Sequence, residues 1–357
     1  FGGNTVPPLT CPLPLPLVTL SPLLSHPLLV ALLLSVAAPS SAGCRIHADA
    51  YGSKRQTSVR LLEAEAAATV GPGAFQGLGA FHHVTLGVAD LDHTLSLWRD
   101  TLGLELTAAR EGDDPSLDKL WRLPAGSIRR QALVSTPGLS TGRIHLVQFE
   151  RAGLAVRAGA AATDRLPKNL DVYARRLLAR YEELAARGVL FRSEPRAMEA
   201  GGVAFREVQF EGPDSTNIVL LELLDKQLAQ PAYSLAGYAA VGPVVTVVAD
   251  ASAEEAFYVN LLGLDRVASG LLTGSDIEQA VGLPKGAGLD YRVLGRAEDP
   301  MGRVQVLEYQ GARGKGLYHR AKPPALGHLH ATWHVRTVAP LAARSTGSSA
   351  LSAARGG

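Results

Sequence analysis

Cysteine is scarce in this chain, and neither sign of charge is in large excess. The only two cysteines, Cys11 and Cys44, lie within the first 44 residues. Neither a disulfide framework nor a thiolate metal cluster can therefore form in the globular part of the chain. The formal charge of +2 over 357 residues is too small to create the positive field that nucleic-acid binding requires. We therefore expect no nucleic-acid partner, and any metal must be held by His, Asp, Glu or Gln.

Several catalytic motifs are also missing. No nucleophile elbow, phosphate loop or zinc-protease helix occurs in the sequence. The glycine-rich stretch GPGAFQGLG at 71–79 precedes a predicted strand instead of opening a helix, so we expect no phosphate site there. What remains is an ordinary globular composition, 46% hydrophobic and 19% charged, in a chain long enough for two domains.

The N-terminal region resembles a targeting segment. An apolar run of about a dozen residues within PLLVALLLSVAAPSSAGC is followed by small residues, as in a secretory signal, and is short for a membrane span. No Lys or Arg precedes the run. We interpret 1–44 as a signal-like leader and 45–75 as a polar, Ala-rich linker. This predicts export or membrane anchoring through the leader, with an organelle, the cytoplasm or a wrongly translated or trimmed upstream region as alternatives.

An internal repeat runs through the rest of the chain at an offset of 160 residues. The segment VTLGVADLDHTLSLWRDTLGLEL at 84–106 returns as VVTVVADASAEEAFYVNLLGLDR at 244–266, and GRIHLVQFE at 142–150 returns as GRVQVLEYQ at 302–310. We therefore predict two copies of one domain, at 76–230 and 236–340, followed by a low-complexity tail at 341–357.

Each copy begins with a strand, a helix and further strands. HVTLGVAD alternates like a half-buried strand, DHTLSLWRDTL has helical apolar spacing, and Gly103 stands where a helix end favours positive φ. RRQALVST and GRIHLVQFE then have the pattern of strands, which makes a βαβββ unit. A second, more divergent unit follows, with the helical RRLLARYEELAARG and the hairpin sequence GPDST. The pattern predicts two units in each copy and four in the chain.

Paired βαβββ units with these sequence motifs resemble the vicinal oxygen chelate superfamily, which includes glyoxalases, bleomycin-resistance proteins, extradiol dioxygenases and methylmalonyl-CoA epimerases. The resemblance covers residues 80–336 and depends on the opening segment, the repeated FYVNLLGLD, GPDSTNIVLLEL and HLHATWHV. It implies an α+β fold of tandem, paired βαβββ modules that form cupped mixed sheets. It also implies a divalent metal in the cup, held by the first and last strands of each unit, with an open position for two oxygens of a small molecule.

In the first copy, the resemblance places metal ligands at His83 on the first strand and at His145 on the last strand of the first unit. The matching positions of the second unit are Asn169 and Val219. Asn169 is a weak, neutral ligand and Val219 cannot bind a metal, so this copy departs from the family. Glu222 lies three residues beyond Val219 and should face the other side of its strand.

In the second copy the matching positions are Pro243, Gln305 and His330. Proline removes the first ligand, whereas Gln305 and His330 can bind a metal. Only 27 residues follow His330, too few for a complete fourth unit, so we predict that the second copy is truncated and its cup incomplete. The resemblance implies a divalent metal, Zn, Fe, Mn, Ni or Co, without selecting one.

The alternative for His83 and His145 is that both are ordinary strand residues that only form hydrogen bonds. Strand alternation predicts that His82 faces away from His83 and that His328 shares a face with His330. Neither interpretation is excluded by the sequence.

Three functions remain open. The first is a metal-dependent lyase, isomerase or dioxygenase of the glyoxalase type, acting on a small oxygenated molecule by bidentate chelation, with its acid or base unassigned. The second is a non-catalytic small-molecule-binding protein like the bleomycin-resistance proteins, and the third is a degenerate product whose second copy only packs. A membrane contact is expected only through the leader, and an exposed sheet edge leaves a homodimer open.

Overall fold

The computed structural model describes residues 78–200, 202–225, 230–297 and 299–335, together with the backbone of two short N-terminal strands, Leu17–Leu20 and Leu33–Ser35. The rest of the predicted leader, the linker and the C-terminal tail lie outside these residues. Within the described part of the chain, no helix is long and apolar enough to cross a membrane.

The strands alternate with short helices. In chain order the strands are β1 Leu17–Leu20, β2 Leu33–Ser35, β3 Phe81–Val88, β4 Glu105–Glu111, β5 Ile128–Ser135, β6 Arg143–Phe149, β7 Pro167–Ala174, β8 Arg196–Ala200, β9 Val203–Glu211, β10 Asn217–Leu223, β11 Tyr238–Ala239, β12 Val244–Val247, β13 Asp265–Thr273, β14 Gly288–Gly295, β15 Val304–Gln310 and β16 Gly327–His334. The helices are α1 Leu91–Leu95, α2 Pro115–Trp121, α3 Leu177–Ala186, α4 Ala251–Ala256 and α5 Ser275–Val281. The second unit has the predicted βαβββ order, whereas the first and third each contain one further helix, α2 or α5, between the second and third strands.

The helices α1 and α4 occupy equivalent places in the repeat and begin in the same way. Asp90 Oδ1 accepts hydrogen bonds from the backbone N–H groups of Asp92 at 2.9 Å and His93 at 3.0 Å, and Asp250 Oδ1 accepts one from Ala253 at 2.9 Å. These carboxylates satisfy N–H groups that have no partner within the helix. Both helices continue as one π-helical turn, Ser96–Thr101 and Phe257–Leu261.

The turns after these helices also agree with the sequence. Gly103 has φ of 69° and its repeat equivalent Gly263 has φ of 68°. A side chain at such a left-handed position would be strained, which explains the glycine at both ends. The predicted helix end at Gly103 is therefore confirmed.

Two mixed sheets form the body of the protein. Among the described residues, the first sheet has the order β2-β1-β16-β3-β6-β5-β4 and the second has the order β13-β14-β15-β12-β7-β10-β9-β8, with β11 also paired to β7. In each complete unit the first strand lies parallel to the last, as β3 does to β6 and β12 to β15. The predicted α+β fold with cupped mixed sheets is confirmed.

The sheets are not built within one copy of the repeat. Strand β3 of the first copy pairs antiparallel with β16 of the second, and β7 of the first copy pairs antiparallel with β12 of the second. The expectation that the two units of one copy would form their own cup is therefore wrong. Strand pairing depends on which edges meet in space, and the local alternation of each strand does not specify its partner.

The fourth unit contributes β16 to the first sheet within the described residues. On its other side, β16 pairs antiparallel with β1, so that Leu17 lies opposite His334 and Leu20 opposite Ala331. Strand β2 pairs with β1 in turn. Two N-terminal strands thus lie along the edge of β16, and an edge covered in this way cannot pair with a second chain.

One apolar core joins the two sheets. Leu86 and Ile144 of the first sheet and Leu170 and Val304 of the second belong to the same cluster, each at most 4% exposed. Trp98 packs into this cluster at 1% exposure. Because the core is continuous, the two sheets are expected to fold as one cooperative body.

Candidate functional site

Three of the predicted ligands lie on neighbouring strands of the first sheet. His145 on β6 and His330 on β16 both lie opposite Thr85, on either side of the central strand β3. His83 precedes Thr85 by two residues on β3 and therefore faces the same side. The fold brings His83, His145 and His330 together although 247 residues separate the first from the last.

The other two predicted ligands lie in the second sheet. Asn169 on β7 and Gln305 on β15 flank Val245 of β12. The expected grouping of Asn169 with His83 and His145, and of His330 with Gln305, is therefore wrong, because the strands pair across the two copies. Asn169 Nδ2 donates a hydrogen bond to Asp171 Oδ1. We do not include Asn169 or Gln305 in the candidate metal site.

Hydrogen bonds through Gln131 to Asp114 hold the ring of His145 in place. His145 Nε2 lies 2.9 Å from Gln131 Oε1, and Gln131 Nε2 donates to Asp114 Oδ2 at 3.2 Å. Because an amide oxygen only accepts, His145 carries its proton on Nε2 and leaves Nδ1 with a free lone pair. Arg110 Nη1 donates to Asp114 at 2.7 Å, and Asp114 also caps α2. Burial lowers the pKa of His145 to about 4, with the nearby Asp114 opposing the shift.

His82 and His83 contact each other, contrary to the expected alternation. Thr332 lies opposite His83 and Trp333 opposite Phe81, so His82 is the extra residue of a β-bulge. The Nδ1 atoms of the two histidines are 2.5 Å apart. The prediction that they face opposite sides of the strand is wrong because the bulge turns His82 out of the regular alternation.

The hydrogen-bond partners of His82 determine which ring nitrogens of His82 and His83 carry a proton. Arg143 Nη1 lies 3.2 Å from His82 Nε2, and because a guanidinium only donates, that nitrogen accepts. His82 then donates from Nδ1 to His83 Nδ1, and neutral His83 carries its proton on Nε2. Burial, reinforced by the neighbouring His82 and His145, lowers the pKa of His83 well below its usual value.

His330 is the most isolated of the three imidazoles. It is 2% exposed, and neither ring nitrogen has a hydrogen-bond partner among the residues that the structure describes. Its ring stacks on Trp121 with centroids 5.6 Å apart and an interplanar angle of 22°. Burial lowers the pKa of His330 to about 3. A buried polar ring without partners is costly, so this side chain has an unmet capacity to bind a ligand.

A register shift also separates His328 from His330. His328 lies opposite Leu86 and His330 opposite Thr85, which are consecutive residues of β3. Consecutive strand residues face opposite sides, so the predicted shared face is wrong. Glu222 behaves as expected and is not part of the site: it accepts hydrogen bonds from the backbone N–H groups of Arg176 and Leu177 at the start of α3.

The three histidines fit a divalent metal in donor chemistry but not in present placement. Neutral imidazoles are ordinary ligands of zinc and similar metals, and three protein ligands with an open position are typical of catalytic sites. As the side chains lie, however, no group of three or more His, Cys, Asp or Glu residues in the described part of the chain is placed to hold one ion. Binding would require these side chains to move closer around one point and the His83 proton to leave Nε2.

Sequence reasoning missed two groups of polar residues. Gln131 and Asp114 hold His145, and nothing in their local sequence marks them. Lys168 and Asp171 lie buried in β7, at 7% and 6% exposure. Charged residues inside the strand PKNLDVYA, which is buried throughout, were the available signal.

Comparison with known proteins gives similarities only at the level of structure. No protein-family model and no curated relative matches the chain. The chain is similar to the V278E mutant of glyoxalase I from Zea mays, with 14% identity, a TM-score of 0.49, and coverage of 75% of this chain and 79% of that one.

Two shorter structures are also similar to part of the chain. A glyoxalase family protein from Bacillus cereus is 20% identical, with a TM-score of 0.36 and coverage of 45% of this chain and 100% of that one. A member of the glyoxalase/bleomycin resistance protein/dioxygenase superfamily from Sphaerobacter thermophilus is 27% identical, with a TM-score of 0.27 and coverage of 41% and 98%. Similarity at this level carries no conclusion about a metal or a substrate.

Proposed function

We propose that the protein is a divalent-metal-dependent enzyme of the glyoxalase type that acts on a small oxygenated molecule, with His83, His145 and His330 as its metal ligands. The observation that supports this most directly is the strand pairing, which places the three histidines on one face of three adjacent strands. The resemblance of the sequence to the vicinal oxygen chelate superfamily points the same way.

The environment of the histidines suits this role. A metal binds the neutral imidazole, and burial keeps all three neutral down to acid pH. Gln131 fixes the ring of His145, as the partner of a metal-bound histidine usually does. When bound, a divalent ion would supply Lewis acidity to two neighbouring oxygens of the substrate. His83 and His145 each keep some exposed surface as whole residues.

A second candidate is a metal-free binding protein. Two observations favour it: the present placement of the histidines does not enclose an ion, and the family's closing ligand position is the apolar Val219. In the present proton arrangement His83 offers an N–H donor and His145 a nitrogen acceptor. These two groups could bind a hydroxyl or an amide of a small molecule without a metal.

Elemental analysis by mass spectrometry distinguishes the two candidates. The full chain would be dialysed against Zn, Mn, Ni or Co ions and then against buffer, beside His83→Ala, His145→Ala, His330→Ala and the control His93→Ala. His93 is exposed on α1, so its loss should change nothing. We expect one equivalent of metal in the wild type and the control and loss of that equivalent in each of the other three.

The outcome for His330→Ala tests the grouping itself. Loss of the same single equivalent in His83→Ala and His330→Ala would support one shared site. Metal that survives His330→Ala would overturn the three-histidine set, and the absence of metal from every sample would favour the metal-free candidate.

A further inference from the structure

A surface cleft lies between the two linkers that join successive units. One linker runs from β6 to β7 at 150–166, and the other runs from β15 to β16 at 311–326. The cleft has a volume of about 430 Å³, which falls within the usual range for small-molecule sites. None of the three histidines of the candidate metal site lines it, so it is a separate feature of the molecule.

The two linkers cross each other with the symmetry of the internal repeat. Val156 N–H donates a hydrogen bond to the carbonyl of Leu326 at 2.9 Å. In the same way, Leu317 N–H donates to the carbonyl of Arg165 at 2.9 Å. Both donors and both acceptors are related by an offset of 161 residues, one more than in the preceding strands. Each position in one linker therefore has a counterpart in the other.

A carboxylate fills one side of this crossing. Asp164 Oδ1 accepts a hydrogen bond from Lys315 N–H at 2.7 Å, and Asp164 Oδ2 accepts one from Ala161 N–H at 2.8 Å. Asp164 is 6% exposed. On this side the backbone of both linkers thus binds a buried acid.

The cleft lies on the other side of the crossing, where the chain supplies no such acid. The counterpart of Asp164 is Ala325, and the counterpart of Lys315 is Leu154; both Ala325 and Leu154 line the cleft. Among the described residues, the N–H of Leu154 has no hydrogen-bond partner. The cleft therefore retains the backbone donor that matches the Lys315 N–H, but its own side chain brings no carboxylate.

Residues with N–H donors line the cleft instead. They are His319, Arg320 and Lys322, and their counterparts in the other linker are small and uncharged: Ala158, Gly159 and Ala161. Arg320 Nη1 donates to the carbonyl of Ala158 at 2.9 Å, which ties the linkers together and leaves the guanidinium further donors. No Asp or Glu of the described chain lines the cleft, so its charge favours an anion.

The remaining lining residues are apolar. They include Leu154, Pro323 and Pro324. An apolar group that lies against this surface would remove it from water, which stabilises binding. The ligand that best suits the cleft therefore has one negative charge and a compact apolar body.

We propose that this cleft binds a small monocarboxylate with an apolar body. The carboxylate takes the place that the Asp164 side chain has on the other side of the crossing, where it accepts a hydrogen bond from Leu154 N–H. Arg320 and Lys322 supply positive charge, and hydrogen bonds between charged groups are the stronger kind. The apolar body lies against the proline-lined wall.

Phenylacetate tests the proposal in a ligand-observed NMR titration of the full chain, with a chelator present to keep metal from the histidines. Phenylacetamide has the same shape without the charge, and acetate has the charge without the apolar body. We expect saturable binding of phenylacetate, and binding of the other two weaker by roughly tenfold each. Equal affinities for phenylacetate and phenylacetamide would overturn the proposal, as would no saturable binding of phenylacetate up to about 10 mM.

Two substitutions locate the bound carboxylate. Ala325→Asp gives the cleft the acid that Asp164 provides on the other side, and should abolish binding of phenylacetate. Lys322→Gln removes an exposed charge and should weaken binding by about threefold. The control Lys285→Gln, also at an exposed residue, should change nothing. Circular dichroism would confirm that each variant is folded, and unchanged affinity in folded Lys322→Gln would overturn the assignment of the cleft.

Sedimentation velocity distinguishes a small acid from a carboxylate of another copy of the chain. We expect phenylacetate to leave the sedimentation of the wild type unchanged. A concentration-dependent dimer that phenylacetate dissociates would assign the cleft to a second copy and overturn the small-molecule proposal. Because none of these measurements needs a metal, their failure would leave the three-histidine proposal untouched.

Discussion

Gln131 connects His145 of the candidate site to the carboxylate of Asp114. Its amide accepts from His145 and donates to Asp114. Gln131→Leu keeps a similar volume but leaves a buried imidazole N–H without its partner. We expect a loss of about 1–3 kcal/mol in the free energy of unfolding, measured by urea denaturation. If the metal proposal is correct, metal affinity should also fall by about 10- to 100-fold.

The control for this variant is Gln310→Leu at the exposed end of β15. It should change neither stability by more than about 0.5 kcal/mol nor metal affinity. Equal effects of the two substitutions would show that the hydrogen-bonded chain behind His145 contributes nothing specific.

Glu254 gives a prediction for pH dependence. Burial, with repulsion from Asp250, raises its pKa to about 7 from a model-peptide value of 4.5. The folded state therefore binds more protons than the unfolded state between these values, so stability falls as pH rises through this window. Relative to Glu254→Gln, the wild type should lose stability at up to about 1.4 kcal/mol per pH unit from pH 4.5 to 7.

Denaturant titrations at several pH values would measure this difference, with the exposed Glu182→Gln as the control. The control should follow the wild type at every pH. A parallel course of the wild type and Glu254→Gln would mean that Glu254 titrates normally in the folded protein.

At the scale of elements, the two repeat-related helices allow one interaction to be tested twice. Asp90 caps α1 through two backbone N–H groups, whereas Asp250 caps α4 through one. Replacing either by Ala should cost about 1 kcal/mol, with the larger loss at Asp90. The double variant should lose the sum of the two single-variant changes in the free energy of unfolding if the two helices are energetically independent. Chemical denaturation followed by circular dichroism would measure all three, and a smaller loss at Asp90 would contradict the capping argument.

Element identity was largely readable from local sequence. Alternation predicted β3, the strand pattern of GRIHLVQFE predicted β6, and helical apolar spacing predicted α1, because these signals depend only on neighbouring residues. The bulges at His82 and near His328 were not readable in this way. A bulge is stabilised by the strand opposite, so its position depends on a partner that lies far away in the chain.

At the scale of the whole molecule, Gly302 marks a point where the two sheets meet. It has φ of 63°, and a Cβ there would lie 2.0 Å from Phe81 Cγ, which belongs to the other sheet. Gly302→Ala therefore combines a strained backbone with a steric clash at the junction. We expect the free energy of unfolding to fall by several kcal/mol, since overpacking alone costs about 1–3 kcal/mol. Unfolding should remain one cooperative transition, because the two sheets share a core.

Gly286→Ala is the matched control for this substitution. Its φ is 82°, and within the described part of the chain a Cβ there would meet nothing within 4 Å. The free energy of unfolding that Gly286→Ala loses should reflect backbone strain alone, about 1–2 kcal/mol. Calorimetry on both variants would compare them, and equal losses would mean that Phe81 and Gly302 are not in contact in solution.

Sequence alone determined the 160-residue offset between matching segments, the opening strand and helix of the first unit, and the residue types available for binding, because periodicity and glycine turns are local. It also identified His83, His145 and His330 as chemically competent side chains. It did not predict α2 or α5. Tertiary structure alone decided that these three share one sheet while Asn169 and Gln305 lie in the other. The reason is physical: strand pairing depends on which edges meet once the shared core closes, and each strand's own pattern suits more than one partner.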